Sequence, residues 1–270
     1  MRLSHAPRLT GPIGLRKAAA LAASTLLALA PALQAGPPPA QSATGTIKGK
    51  LIWAAGPVPV AKVDVAKDDP KVKDAVCKVK PILNKDIVVD PATKGVADAF
   101  AYLVKPAGDY SAAETALLAK NPNVLIDQVK CEFVPYATVV HKDQKLVFKS
   151  SDPVGHNIRF SSFNNGAVNQ MLAPNGKMAY PIKKEERRPI EIKCDIHPWM
   201  KGYFFVLEHP LVAVTKPDGS FEITGIPAGK QQLVLWQSTK GYVTDGGNKG
   251  MSVDVPAGGV ADVGEVKITK

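Results

Sequence analysis

The chain has 270 residues, 45% of them hydrophobic, with 23 prolines, 22 glycines and three cysteines, enough for one large or two small globular cores without a disulfide scaffold. The formal charge of +10 is spread along the chain, and the one tight basic group, Lys183-Lys184-Glu185-Glu186-Arg187-Arg188, is interrupted by acids. That pattern reads as a solvated loop and argues against a nucleic-acid partner.

Residues 1–35 read as an export signal. Arg8, Arg16 and Lys17 precede an apolar stretch from Ala18 to Leu33, and Ala35 offers a cleavage site before Gly36. The stretch is Ala-rich, carries Pro31 and is short for a membrane span, so no membrane association is expected after cleavage. Residues 36–43 then form a flexible mature N-terminus. Loss of Arg2, Arg8, Arg16 and Lys17 lowers the formal charge from +10 to +6, which suits solubility and docking to an acidic partner. Export implies an oxidising compartment, the periplasm, the cell envelope or the extracellular space.

Short alternating runs bounded by Gly, Pro and Asp dominate the remainder, so the expected fold class is all-β with few short helices. Thr44 to Trp53 alternates as a strand. Asp69-Pro70 reads as the start of a short helix reaching Cys77. Ile87 to Val89 and Gly95 to Leu103 read as strands, and Ser111-Ala-Ala-Glu114 as a capping box opening a helix to Lys120. Strands follow at Val124–Ile126, Val129–Phe133, Thr138–Val140, Leu146–Phe148 and Asn157–Phe160, with a loop-rich stretch from Ser161 to Gly176. Further strands are expected at Met178–Ile182, Ile190–Cys194 and Tyr203–Glu208. Beyond His209, Asp218-Gly219 marks a tight turn between Val212–Thr215 and Phe221–Ile223. Gln232–Trp236, Ser252–Val255 and Val263–Ile268 complete the strands.

The run Cys194-Asp-Ile-His197-Pro-Trp-Met200 places a thiol, an imidazole and a thioether at three-residue steps, and His156 stands in Gly155-His156-Asn157 upstream. Two nitrogens, one strong sulfur and one weak sulfur form the donor set of a blue-copper site, because Cu(I) favours soft sulfur and Cu(II) favours imidazole. Alternation with Ile190 and Ile192 would put Cys194 on one face at the end of its strand. Pro198 would stiffen the ligand loop and remove a backbone donor near the sulfur, and Asn157 would brace the loop through its side chain. Two other readings compete. A zinc site could use His156, Cys194 and His197. In the other, no metal binds, Cys194 pairs with Cys131, His197 lies on the surface and Met200 is core. If Cys194 holds a metal, Cys77 and Cys131 are free to pair, or remain as two buried thiols. His141 and His209 match no ligand position and read as surface or strand-end residues.

On these residues, the stretch 122–208 resembles the cupredoxin family in its short-loop, amicyanin-like form. The matching segments are Ser151-Asp-Pro-Val-Gly-His156-Asn157-Ile-Arg-Phe160, the Cys194–Met200 loop and Met200-Lys-Gly-Tyr-Phe-Phe-Val206. The resemblance implies a Greek-key β-sandwich holding one type 1 copper ion through His156, Cys194, His197 and Met200. It implies electron transport; the residues themselves offer no nucleophile–base arrangement, Gly-rich phosphate loop or carboxylate pair, so no enzymatic turnover is expected. The resemblance further implies that His197 is partly exposed as the electron port, rimmed by Pro198 and Trp199. The partner docking there would be a redox protein such as a c-type cytochrome or a periplasmic dehydrogenase. Residues 44–121 and 209–270 resemble the two parts of a carboxypeptidase-regulatory-like, prealbumin-like β-sandwich, carried by Gly45–Leu51, Gly95–Leu103 and Val212–Gly229. The expected organisation is therefore a copper domain inserted in a second sandwich, as in exported proteins of the methylamine-utilisation type. The remaining alternatives are a copper or zinc carrier or sensor without redox turnover, and an envelope protein whose β-sandwich binds a partner.

Overall fold

The computed structural model describes residues 43–269; the expected signal segment, 1–35, and the expected mature N-terminus apart from Ala43 lie outside them. The fold is all-β. In chain order the first region holds β1 (Thr44–Trp53), β2 (Val63–Val65), β3 (Ile82–Leu83), β4 (Phe100–Leu103) and the helix α1 (Ser111–Lys120). The middle region holds β5 (Asn123–Gln128), β6 (Phe133–Val134), β7 (Ala137–His141), β8 (Lys145–Ser150), β9 (His156–Ser161), β10 (Ala167–Leu172), β11 (Lys177–Tyr180), β12 (Ile190–Lys193) and β13 (Lys201–Leu207). The last region holds β14 (Val212–Val214), β15 (Ser220–Pro227), β16 (Gly229–Gln237), β17 (Gly241–Tyr242), β18 (Met251–Val255) and β19 (Val260–Ile268).

Strands from the two ends of the chain share sheets. One sheet has the order β15-β1-β19, and another β14-β4-β16-β17 with β18 beside β16. The middle strands form β10-β9-β12-β13-β7 and β11-β8-β5-β6. Ile47, Leu51, Leu103, Phe221, Leu233 and Leu235 belong to the end-strand core. Ile126, Phe148, Ile158, Phe160, Ile192 and Phe204 belong to the middle core.

The two cores are joined because three strands are apolar on both faces. On β13, Phe204 and Val206 enter the middle core, while Phe205 and Leu207 enter a third cluster with Phe100, Tyr102, Val234 and Trp236. Alternation along a strand sends successive side chains to opposite faces, so Tyr203-Phe-Phe-Val-Leu207 serves two cores at once. β4 and β16 do the same from the other side: Leu103, Leu233 and Leu235 point into the end-strand core, and Phe100, Tyr102, Val234 and Trp236 into the seam. Phe205 meets Tyr102 edge to face at 4.9 Å between centroids and Phe100 at 5.8 Å. Each such ring contributes about 1.5–3 kcal/mol by leaving water.

Several local expectations change. The helix expected from Asp69 is only a turn followed by a 3-10 helix at Ala75–Lys78. Ser111 does not cap α1: the N-cap is Tyr110, and Asp109 Oδ1 instead accepts the N–H of Ser111. Val129–Cys131 form a tight turn, with Lys130 and Cys131 at positive φ, because Asp152 takes both their N–H groups. The stretch from Ser161 to Gly176 contains β10, whose residues are mostly exposed at a sheet edge and so lack an alternating signal. The Asp218-Gly219 turn forms as expected; Gly219 has φ +77°, and a Cβ there would meet Leu51 O at 2.2 Å.

The segment from β2 to β3 packs away from the rest of its region. Val65, Val72, Cys77 and Ile82 join the middle core, and Cys77 is disulfide-bonded to Cys131 with a Cα–Cα distance of 5.1 Å.

Candidate metal centre

Three strands deliver the donors. β9 begins at His156 and pairs with β12 through Ile192↔Phe160 and Lys193↔Arg159. Ile190 and Ile192 point into the middle core, and Cys194 follows on the same face, just past the last residue of β12. The chain then turns through His197 and re-enters as β13. The loop is closed by Met200 N–H donating to His197 O at 2.8 Å and Cys194 N–H donating to Met200 O at 3.2 Å. Asn157 ties the two ligand segments together. Its backbone N–H points at Cys194 Sγ at 3.4 Å, and its side-chain oxygen accepts the N–H of Asp195.

His156 Nδ1 and His197 Nδ1 lie 2.9 Å apart, and Cys194 Sγ lies 3.8 Å from His197 Nδ1. The three donor atoms all fall within 4.8 Å of one another. All three residues are buried, at 0%, 2% and 3% exposure for His156, Cys194 and His197. The far edge of each ring is held by a carboxylate: Asp152 Oδ2 is 2.9 Å from His156 Nε2, and Asp74 Oδ2 is 2.9 Å from His197 Nε2. A carboxylate accepts, so each Nε2 carries a proton and each Nδ1 presents a lone pair to the centre. Two facing lone pairs at that distance repel unless a cation stands between them, whether a proton or a metal ion.

Without metal the proton fills this role. Burial alone would push the Cys194 thiol up, but hydrogen bonds with His156 and His197 and from the Asn157 N–H outweigh it and bring the thiol down to about 6. Burial would lower His156, but Asp152 and the Cys194 sulfur raise it to about 9. His197 is burdened by burial in the same way and raised by Cys194 and Asp74. Asp152 is opposed by burial but held below the usual carboxylate range by His156 and the N–H groups of Cys131 and Lys130. The centre is thus a thiolate beside imidazolium, two nitrogens and one sulfur converging in a dry pocket. This donor chemistry fits copper or zinc.

The structure brings His156, Cys194 and His197 together. Met200 is fully buried in the same core and closes the loop through its backbone. Pro198 is exposed at the turn of the loop, and Trp199 is half-buried, with Nε1–H donating to Cys131 O at 3.2 Å. The expected partial exposure of His197 is not found, because Asp74 covers its edge. His141 and His209 are not surface residues either, at 1% and 4% exposure. His141 ends β7 and binds Glu114 at 3.0 Å, pinning α1, while His209 accepts the N–H of Leu211.

Sequence reasoning missed Asp152 and Asp74. Asp152 lies four residues before His156, and an acid so near a candidate ligand was a usable signal. Asp74 is 123 residues from His197, with no local pattern to connect them. The Cys77–Cys131 disulfide also borders the centre: both sulfurs and a ring nitrogen of His197 lie within 4.8 Å of one another.

Among the described residues no helix is long and apolar enough to cross a membrane. No family model and no curated protein matches the chain. Among solved structures, amicyanin from Paracoccus versutus is 16% identical, covering 32% of this chain and 81% of that chain, with a TM-score of 0.28. A mutant of amicyanin with Cu(I) is 16% identical over 40% of this chain and 98% of that chain, at a TM-score of 0.29. The Cu-containing nitrite reductase of Thermus scotoductus is 18% identical over 32% of this chain and 22% of that chain, also at 0.29. Likenesses this slight leave the functional reading to the residues themselves.

Proposed function

We propose that the protein is an exported carrier of single electrons that holds one type 1 copper ion through His156 Nδ1, His197 Nδ1 and Cys194 Sγ, with the Met200 thioether as a weak fourth donor. The single observation that carries this reading is the convergence of two ring nitrogens and a thiolate on one buried point, with both outer ring nitrogens held by carboxylates. When bound, copper would supply the one-electron couple between Cu(I) and Cu(II).

The chain's own residues do the rest. Paired β9 and β12 hold His156 and Cys194 on a rigid sheet, which limits movement between oxidation states. Asp152 and Asp74 fix the ring orientations. The Asn157 N–H sits close to the sulfur and damps its electron density. Burial of all three donors keeps water out and leaves no open position for a substrate, which favours electron passage over turnover. In this reading the copper region is an insertion in a second, structural sandwich. The partner is a redox protein such as a c-type cytochrome or a periplasmic dehydrogenase, and docking at the loop would meet the Asp74 segment as well as Pro198 and Trp199.

The test is the optical and EPR spectrum of the copper-loaded protein. An intense visible thiolate-to-Cu(II) charge-transfer band with a narrow copper hyperfine splitting is the expected result. A colourless protein that binds Cu(I) or Zn(II) tightly would replace this reading with a metal carrier or sensor.

A further inference from the structure

We propose that Asp74 is a positioning residue for the metal centre and that the segment from β2 to β3, which carries it, is a fixed cover shutting His197 off from solvent and from external ligands. The proposal rests on the metal-site reading above, but the cover itself is testable without metal.

Within the loop that bears His197, Trp199 packs against the ring at 5.2 Å between centroids, but the ring's outer nitrogen is held from outside the loop. The neighbours Asp195, Ile196 and Pro198 are exposed, Ile196 at 45%, yet His197 is only 3% exposed. What covers the ring edge comes from far away in sequence, with Asp74 Oδ2 2.9 Å from Nε2. The covering segment is anchored on three counts. Val65, Val72, Cys77 and Ile82 are buried in the middle core. Cys77, three residues beyond Asp74, is bonded to Cys131. Beside that bond, Lys80 and Lys85 both reach the Glu132 carboxylate, at 2.7 and 2.8 Å. Within the segment, Lys78 Nζ donates to Val72 O at 2.8 Å and Asp69 O at 3.2 Å, stapling the turn that presents Asp74.

The chemistry follows from the acceptor. A carboxylate at Nε2 holds the proton there, so the ring keeps the tautomer whose Nδ1 lone pair faces Cys194 and His156. It also occupies the ring edge that water, a small anion or free imidazole would otherwise use. Asp74 itself is 38% exposed at its side chain, so its removal leaves the core and the disulfide in place.

The experiment compares wild type, Asp74→Ala and Asp74→Asn by nitrogen-15 NMR of the His197 ring in metal-free protein. It adds the rate of diethyl pyrocarbonate modification of His197 and the binding of azide to the copper-loaded protein. Wild type is expected to show one tautomer with the proton on Nε2, slow modification and no azide binding. In Asp74→Ala the tautomers mix, modification accelerates about tenfold or more, copper affinity falls about 10–100-fold and azide perturbs the spectrum. Asp74→Asn keeps an acceptor oxygen and restores the tautomer and the slow modification. If wild type binds no copper yet Asp74→Ala alters the tautomer and the modification rate, the metal reading falls and the cover stands. If Asp74→Ala matches wild type in the NMR and modification readouts, the cover proposal is overturned whatever the metal does.

Discussion

The end-strand core and the middle core are built alike and used differently. Both are β layers over branched and aromatic side chains, and they share the seam at Phe100, Tyr102, Phe205 and Trp236. The end-strand core, from Ile47 to Ile268, is lined by hydrocarbon. The middle core takes in Cys194 and Met200 and borders buried His156, His197 and Asp152. A buried histidine or carboxylate is costly unless paired, and here every one is paired with another member of the same cluster. The polar centre sits where the ends of the inner strands β9 and β12, the loop after Cys194 and the disulfide-linked segment meet.

The largest expected effect separates the two cores by chemistry. Copper binding only to the folded state stabilises it by about 4 kcal/mol at a free concentration a thousand times Kd. Cys194→Ser should abolish this copper-dependent rise in melting temperature and the visible band together; a retained rise would remove Cys194 from the ligand set. Next, the disulfide closes a loop between residues 54 apart, which in the chain-entropy model is worth roughly 4 kcal/mol. Cys77→Ala with Cys131→Ala should lower the denaturant midpoint accordingly and expose His197 to modification.

Leu51 is fully buried in the end-strand core, and Leu51→Ala should cost roughly 2–5 kcal/mol. The copper spectrum should stay unchanged. A shifted spectrum would show that the seam transmits strain and that the two cores are not separate in function.

His209 sharpens the comparison through pH. Burial holds it neutral and pulls it down from 6.5 to about 4, so between those values the unfolded chain binds the extra proton. Its contribution is complete above about pH 6.5 and is lost as pH falls through 4, on the order of 3 kcal/mol in all. His209→Gln should flatten the acid limb of the stability curve over that window; an unchanged slope would contradict the burial effect. The smallest effect is expected for Met200→Leu, a volume-conserving swap costing under about 1.5 kcal/mol of stability. It should leave the copper-dependent rise nearly intact while altering the EPR parameters.

Much of the site was legible in the chain because it is local. The Cys194–Met200 spacing and the alternation from Ile190 point to Cys194 and His197 and to their face, and Gly155-His156-Asn157 opens the partner strand. Strands with one buried face, such as β1 and β8, were legible for the same reason. β10 was not, because its side chains are mostly exposed on both faces and alternate in nothing. The helix expected at Asp69 failed where the segment is held extended and turned by the core and the disulfide, which override a weak N-terminal signal.

By itself, then, the sequence determined the all-β class and the side-chain types that gather at the centre, since both are written in periods of two and in spacings of three. Only the tertiary structure decided the pairing of Cys77 with Cys131, the roles of Asp152 and Asp74, and the closure of His197. Those depend on residues far apart along the chain, or on which oxygen meets which ring edge. Such contacts are set by packing at the meeting of sheet, loop and cover, and no run of neighbouring residues encodes them.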